Sequence, residues 1–269
     1  MSDFVCPVCG GKLTREGKCL KCPVGHSYDI AKQGYVNLLM SNSSGAKRHG
    51  DDRLMVRARS AFLDRAYYSP LLDSLAVLLE KYMPDSFCLL DAGCGEGWYT
   101  AGIAERFPDA RICGVDISKD AVASAARRVK SADFAVASVS KLPVEDGYFD
   151  ALLNVFSPLE AEEYARVLKK GAILIRAVPL PEHLWSLKKA VYDKPYLNPV
   201  PEECLGGFEC AESRDIEYDI RLESGEDIRN LFTMTPYYYK TGREDQEKLK
   251  KLEELEVQVR VRLAVYRKP

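Results

Sequence analysis

Residues 89–99, LLDAGCGEGWY, narrow the choice of fold more than any other stretch of this chain. The apolar run Cys88-Leu89-Leu90 suits a buried parallel strand, and it ends on an acid, Asp91. Gly93, Gly95 and Gly97 follow at alternate positions, where glycine lets the backbone turn sharply and leaves no side chain between it and a ligand. The spacing is G-x-G-x-G behind an acid, not the G-x-G-x-x-G that seats a pyrophosphate on a helix N-terminus. One βα unit later, residues 111–118, RICGVDIS, repeat the strand pattern and end on Asp116. A doubly wound α/β fold places there the carboxylate that accepts both hydroxyls of a ribose.

The rest of the chain is consistent with one large α/β domain carrying a small appendage. Its 269 residues are 46% hydrophobic and 29% charged, enough to bury a sizeable core. No apolar run is long enough to cross a bilayer, and the start, MSDFVCPVCGG, lacks the apolar core and cleavage site of a signal peptide. A cytoplasmic protein without a membrane partner is expected. Four of the nine cysteines fall within the first 22 residues, and in a reducing compartment such clustering favours metal over disulfides. Charge is uneven: residues 1–60 hold ten Lys/Arg against five Asp/Glu, and the remainder 28 against 35. The basic first segment can attract a polyanion.

Cys6-Pro-Val-Cys9 is a C-x2-C knuckle, the turn that aims two thiolates at one metal. Spacing leaves two ways to complete a tetrahedron. Cys19 and Cys22 make a second C-x2-C, while Cys22 and His26 make C-x3-H and leave Cys19 spare. Either set fills four positions, so the metal is structural and not hydrolytic.

The glycine turn behind Asp91, with Asp116 one unit on, resembles the motifs of class I S-adenosylmethionine-dependent methyltransferases. Cys6-x2-Cys9, Cys22-x3-His26-Ser-Tyr-Asp29 and the run AKQGYVNLL at residues 31–39 resemble the N-terminal segment of bacterial large-subunit rRNA guanine-N1 methyltransferases of the RlmA type. The resemblance implies a Rossmann-like methyltransferase domain with a mixed seven-stranded sheet and a small N-terminal zinc-binding domain. Residues 1–39 would be a zinc module that recognises RNA, 40–60 a basic linker and 61–269 the methyltransferase domain. It selects Cys6, Cys9, Cys22 and His26 as ligands of one structural Zn2+. For S-adenosylmethionine it implies Asp91, Gly93, Gly95, Glu96, Gly97, Asp116, Ile117, Ser138 and Asn154, together with Tyr68 and His183. The implied reaction methylates N1 of a guanine in a hairpin loop of domain II of 23S rRNA. A homodimer whose zinc modules flank an RNA cleft is also implied, and one branch of the family confers macrolide resistance.

The remaining elements follow from periodicity. Residues 40–60 begin as a polar linker and become basic, with Lys47, Arg48, Arg53, Arg57 and Arg59 suited to phosphate, and Asp51-Asp52 can cap a helix near Arg53. From Ala61 onward Phe62, Leu63, Tyr67, Leu71, Leu72, Leu75, Leu78 and Leu79 recur at helical steps, and on this pattern Tyr67 and Tyr68 are packing residues. Helices are expected at 98–107, at 121–130 behind the cap Ser118, at 159–168 and at 225–232. Strands are expected at 133–137, within 146–157, and at 172–178, with an antiparallel pair at 216–222 and 256–266. The resemblance to class I methyltransferases implies that the end of the 133–137 strand, at Ala137 and Ser138, reaches the adenine. The fourth strand leads into Asn154-Val-Phe-Ser-Pro158, with neither the Asn/Asp-Pro-Pro-aromatic run of adenine amine methylases nor a Pro-Cys nucleophile. The Pro-rich residues 192–207 are expected to loop over the active site, and Tyr237-Tyr238-Tyr239 offers aromatics to stack a base. Guanine N1 must lose a proton, and the sequence names no acceptor for it. A small-molecule methyltransferase with a zinc knuckle, or a non-catalytic rRNA-binding protein, would share parts of this pattern.

Overall fold

The computed structural model describes residues 3–40, 50–202 and 204–269. Lys47 and Arg48 of the basic linker lie outside the described residues. Three short strands, β1 (Thr14–Glu16), β2 (Cys19–Lys21) and β3 (Ser27–Asp29), form a small antiparallel sheet around the cysteine knuckles. β4 (Tyr35–Asn37) leaves it and joins the main sheet.

The main sheet continues with β5 (Cys88–Ala92), β6 (Arg111–Asp116), β7 (Asp133–Val136), β8 (Phe149–Val155), β9 (Leu168–Pro179), β10 (Glu209–Leu222) and β11 (Leu255–Arg267). Its order is β10-β11-β9-β8-β5-β6-β7-β4. All neighbours from β9 to β4 are parallel, and β11 runs antiparallel between β9 and β10. The strands from β5 step outward one way and those from β8 the other, so the topology switches between β5 and β8. Ligands of open α/β sheets bind at such a point, beyond the carboxyl ends of the strands.

The seven expected strands are present, and β4 is an eighth supplied by the zinc module. Its register places Tyr35, Val36 and Asn37 beside Phe134, Ala135 and Val136. The module is tied down elsewhere as well: Val5 N–H donates to Pro143 O at 2.8 Å, and Tyr148 OH donates to the buried Asp3 at 2.7 Å. Phe4, Leu13 and Leu20 share one buried cluster with Leu142, Val144 and Phe149. Described residues of this segment thus share a core with the main sheet.

The helices are α1 (Arg53–Leu63), α2 (Ser69–Tyr82), α3 (Trp98–Arg106), α4 (Lys119–Arg128), α5 (Ala161–Val167), α6 (Trp185–Val191), α7 (Gly225–Thr233) and α8 (Arg243–Leu249). Asp52 caps α1 as expected, accepting from the N–H groups of Leu54 and Met55 at 2.9 and 3.0 Å. The periodic stretch from Ala61 is broken, however. α1 ends at Leu63, Ala66 adopts a left-handed φ of 62°, and α2 begins with Pro70 in its first turn. Proline fits a first turn but not a helix interior, so the apolar repeat spans two helices that bury on the same side. α2, α3, α6 and α7 pack on one face of the sheet, and α5 with the zinc module packs on the other. Among the described residues no helix is long and apolar enough to cross a membrane.

Candidate active site and metal centre

Asp91 is 2% exposed at the carboxyl end of β5 and accepts a 2.6 Å hydrogen bond from the Thr100 hydroxyl of α3. Burial pushes its carboxyl up to about 7; the Thr100 bond opposes that, and the charges of Asp116 and Glu96 add to it. Asp116 ends β6 and accepts from Ser118 N–H at 2.8 Å and Gly95 N–H at 3.0 Å. Burial raises its carboxyl too, with those two N–H bonds working against it. Glu96 is buried in the turn and raised by burial, with the nearby Arg59 charge offsetting part of the shift. Its Oε1 has no hydrogen-bond partner among the described residues.

Two buried acids with a half-buried third beside the same turn are costly unless something answers them. A ligand with a cationic end and a ribose diol does so, and S-adenosylmethionine has both. The turn itself leaves no room for side chains. Gly93 has φ of 88°, and a Cβ there would lie 2.0 Å from Ser157 Oγ. Gly97 has φ of 83°, and its Cβ would lie 2.8 Å from the Cα and Cβ of Ala125 on α4. The first glycine lets the turn touch the end of β8, and the third lets α3 pack on α4.

Beyond Asp116, Ile117, Ala137 and Ser138 line a cavity of about 820 Å3 whose other walls include Val5, Pro7 and Leu39 of the zinc module. Ala137 N–H is already donated to Asp116 O at 3.0 Å, and the Ser138 hydroxyl is bonded to that of Ser140 at 2.7 Å. Ile117 and Ser138 therefore sit together at the seam between module and sheet.

On the other side of the glycine turn, three rings cluster. Phe156, just past β8, stacks on His183 with centroids 5.6 Å apart and planes at 27°. Tyr68 meets both, at 6.2 Å from Phe156 and 6.4 Å from His183. His183 is buried, and desolvation pushes its pKa down to about 3. Its Nδ1 accepts from Arg260 N–H at 3.2 Å, which leaves the proton on Nε2, facing the Tyr68 hydroxyl. It is thus a neutral ring with its lone pair already engaged.

Asn154 holds the turn beyond β8 through its amide N–H groups, and its Oδ1 has no hydrogen-bond partner among the described residues. It is fully buried, and its amide donates to Pro158 O at 3.0 Å and Tyr164 OH at 3.1 Å. Those bonds hold the turn that carries Phe156 and Ser157, and no hydrogen bond among the described residues joins Asn154 to the glycine turn. Tyr237 and Tyr238 pack on the main core, and the Tyr239 hydroxyl bonds the capping residue Asp52. Arg59, by contrast, belongs to the site although its sequence context is that of a linker. It pairs with Asp51, donates to Met234 O at 3.0 Å, and lies 3.6 Å from the position of a Cβ on Gly95. Only its basic character marked it, and folding of α1 across the turn supplies the rest.

The ligand atoms of Cys6, Cys9, Cys22 and His26 all lie within 4.8 Å of one another. Cys9 Sγ and Cys22 Sγ are 3.6 Å apart, and His26 Nδ1 is 3.5 Å from Cys6 Sγ and 3.3 Å from Cys22 Sγ. Zn–S bonds of about 2.3 Å and Zn–N bonds of about 2.0 Å give tetrahedral edges of roughly 3.8 and 3.5 Å, so the donor set fits one Zn2+ bound through Nδ1. Tyr28 OH lies 3.1 Å from Cys6 Sγ and His26 N–H 3.3 Å from Cys22 Sγ, bonds that steady thiolates. Cys19 Sγ lies outside the set and donates to Glu16 O at 3.2 Å. Geometry thus selects the C-x3-H alternative.

Comparison with known proteins agrees with this arrangement. The family model described as "RlmA, N-terminal" matches residues 4–45, and that described as "Methyltransferase domain" matches residues 89–176. A protein of Streptomyces fradiae named 23S rRNA (guanine(748)-N(1))-methyltransferase is 39% identical over 69% of this chain and 66% of its own length. A Bacillus subtilis protein named as a putative 23S rRNA (guanine-N(1)-)-methyltransferase is 31% identical over 98% of this chain and 96% of its own. The solved structure of YcgJ from Bacillus subtilis shares the fold, with a TM-score of 0.50 at 14% identity over 73% of this chain and 98% of that one. A zinc-binding set fused to the sheet edge, a glycine turn between two strand-end acids, and relatedness along nearly the whole chain together place it in the RlmA family of 23S rRNA (guanine-N1-)-methyltransferases.

Proposed function

We propose that this protein transfers a methyl group from S-adenosylmethionine to N1 of a guanine in a hairpin loop of domain II of 23S rRNA, in the cytoplasm. The observation that carries the reading is the contact of Gly93 with Ser157, which brings the donor's glycine turn against the acceptor end of β8. Bound in that turn, S-adenosylmethionine supplies a methyl group already activated as a sulfonium. The chain's own residues then bind, orient and exclude water. Asp116 takes the ribose hydroxyls, Asp91 and Glu96 face the cationic amino-acid end, and Ile117 and Ser138 bound the adenine. Tyr68 and His183 wall off the other side. The edge of guanine that carries N1 is hidden in paired RNA, so a loop nucleotide or one turned out of its stack is the expected acceptor.

RNA also needs a grip away from the pocket. A groove of about 480 Å3 lies between α1, α4 and the zinc module, and Arg53, Arg57, Lys119 and Arg127 line it with Asp120 as the one acid. These four cations are exposed and have no ion-pair partner among the described residues, which suits them to phosphates. The dimer implied by the resemblance would set two such grooves about one RNA, and sedimentation equilibrium tests it.

The test of the reading is transfer of labelled methyl to rRNA from a strain lacking the gene, followed by nucleoside analysis and primer extension. The expected result is 1-methylguanosine and a single new arrest in domain II. An arrest at guanine 748 would match the Streptomyces relative. Product formed without RNA, or label in another base, contradicts the proposal.

A further inference from the structure

We infer that Phe156 is the platform on which the methyl-accepting guanine stacks. The inference rests on the rRNA reading above and names the residue that would meet the base.

Phe156 occupies a backbone conformation that a phenylalanine ordinarily avoids. Its φ is 52°, and among the described residues the other non-glycines with positive φ are Ala66 and Leu184. Leu184 follows His183 directly, so two of the three lie at the same aromatic cluster. Glycine would hold this turn without strain, so the ring must be kept for what it does there. Its position is fixed from both directions. Asn154 bonds Pro158 O across the turn, and Phe156 N–H donates to Ala177 O at 3.1 Å.

The ring stacks on His183 and meets Tyr68, and the residue is still 40% exposed just past the carboxyl end of β8. The covered side lies on His183, whose neutral imidazole is pinned by the Arg260 N–H. The residue after Phe156 is Ser157, which touches the glycine turn at Gly93. The exposed ring therefore stands one residue from the contact between donor turn and acceptor strand. A guanine brought out of its stack loses the neighbours on its two π-faces, and a rigid aromatic surface beside the methyl donor replaces one of them. In the Tyr237–Tyr239 run, Tyr237 and Tyr238 pack on the core and the Tyr237 hydroxyl donates to Asn198, while the exposed Tyr239 is bonded through its hydroxyl to Asp52.

The test compares Phe156→Gly, which keeps the left-handed turn and removes the ring, with Phe156→Tyr, which keeps the ring. A hairpin RNA carrying the target guanine is the substrate, and S-adenosylhomocysteine affinity is measured on the same proteins by calorimetry. Loss of one base stack is expected to lower kcat/KM for Phe156→Gly by roughly 5- to 150-fold, with Phe156→Tyr recovering most of it. S-adenosylhomocysteine affinity should change by less than about twofold. A 2-aminopurine at the target position should lose its stacking-dependent fluorescence change in Phe156→Gly alone. Methylation by Phe156→Gly at the wild-type rate overturns the inference. So does a loss of S-adenosylhomocysteine affinity equal to the loss of kcat/KM, because the ring would then be a wall of the cofactor site. If the wild-type protein methylates no RNA, the rRNA reading itself fails, an outcome separate from either of these.

Discussion

Replacing Asp91 with asparagine should flatten the pH dependence of cofactor affinity. Its carboxyl is buried and held up to about 7, against an ordinary value of 3.8. Below that pH the free protein carries a proton there. A cationic amino-acid end beside the carboxylate favours the ionised form, so binding expels the proton. Between pH 8 and pH 6 the ionised fraction of a group titrating near 7 falls about tenfold, so affinity should weaken about tenfold, or about 1.4 kcal/mol. S-adenosylhomocysteine, which keeps the ammonium, is the ligand for calorimetry at pH 6, 7 and 8. Two buffers of different ionisation enthalpy would report release of about one proton at pH 6. The same proton acts on folding with a fixed sign. The unfolded carboxyl is already ionised at pH 6 while the native one is not, so the ligand-free protein should lose about 1.4 kcal/mol of stability from pH 6 to pH 8 through this group. Burial raises Asp116 and Glu96 in the same direction. Asp91→Asn should remove about one proton of the linkage, bind more weakly at pH 8 and gain stability there relative to wild type. An Asp91→Asn protein with the wild-type slope in affinity and stability refutes the reasoning.

Gly97→Ala places a Cβ 2.8 Å from Ala125 at a left-handed φ, and urea unfolding should show a loss of about 2–4 kcal/mol; a change under about 0.5 kcal/mol contradicts the packing argument. Cys22→Ala should abolish the one equivalent of zinc read by metal analysis while Cys19→Ala keeps it, and the reverse result would displace His26 from the ligand set. Changing Arg53, Arg57 and Arg127 together to glutamine should lower the slope of log Kd against log salt for the RNA hairpin by about two, leaving S-adenosylhomocysteine affinity intact. An unchanged slope would remove the groove from the RNA interface.

The parts of the fold legible in the sequence are those written locally. A short apolar run, an acid and alternating glycines specify β5, its turn and the start of α3 within about a dozen positions, and Ser118 and Asp52 cap the helices they precede. The parts that were not legible depend on partners far along the chain. β4 is three residues long and pairs with a strand about a hundred residues later, which no local pattern announces. The early residues of β10 are exposed and charged, as an edge strand's are, so its start at Glu209 lies ahead of the alternation that marks residue 216 onward. Spacing offered Cys19 and His26 equally, and only the closeness of four side-chain atoms separates them. The bonds by which the Asn154 amide holds the turn at Pro158 and Tyr164 likewise appear only in the folded chain. Phe156 carried no signal, since left-handed backbone at a phenylalanine is visible only in three dimensions.

Binding of S-adenosylhomocysteine to the wild-type protein and to Asp116→Ala tests the central claim most directly, because every role assigned above presumes that the acids closing β5 and β6 hold the cofactor. The account predicts one site per chain in the wild type, and affinity weakened by at least about tenfold in Asp116→Ala with zinc content preserved. Absence of binding to the wild type, or equal affinity in Asp116→Ala, would contradict it.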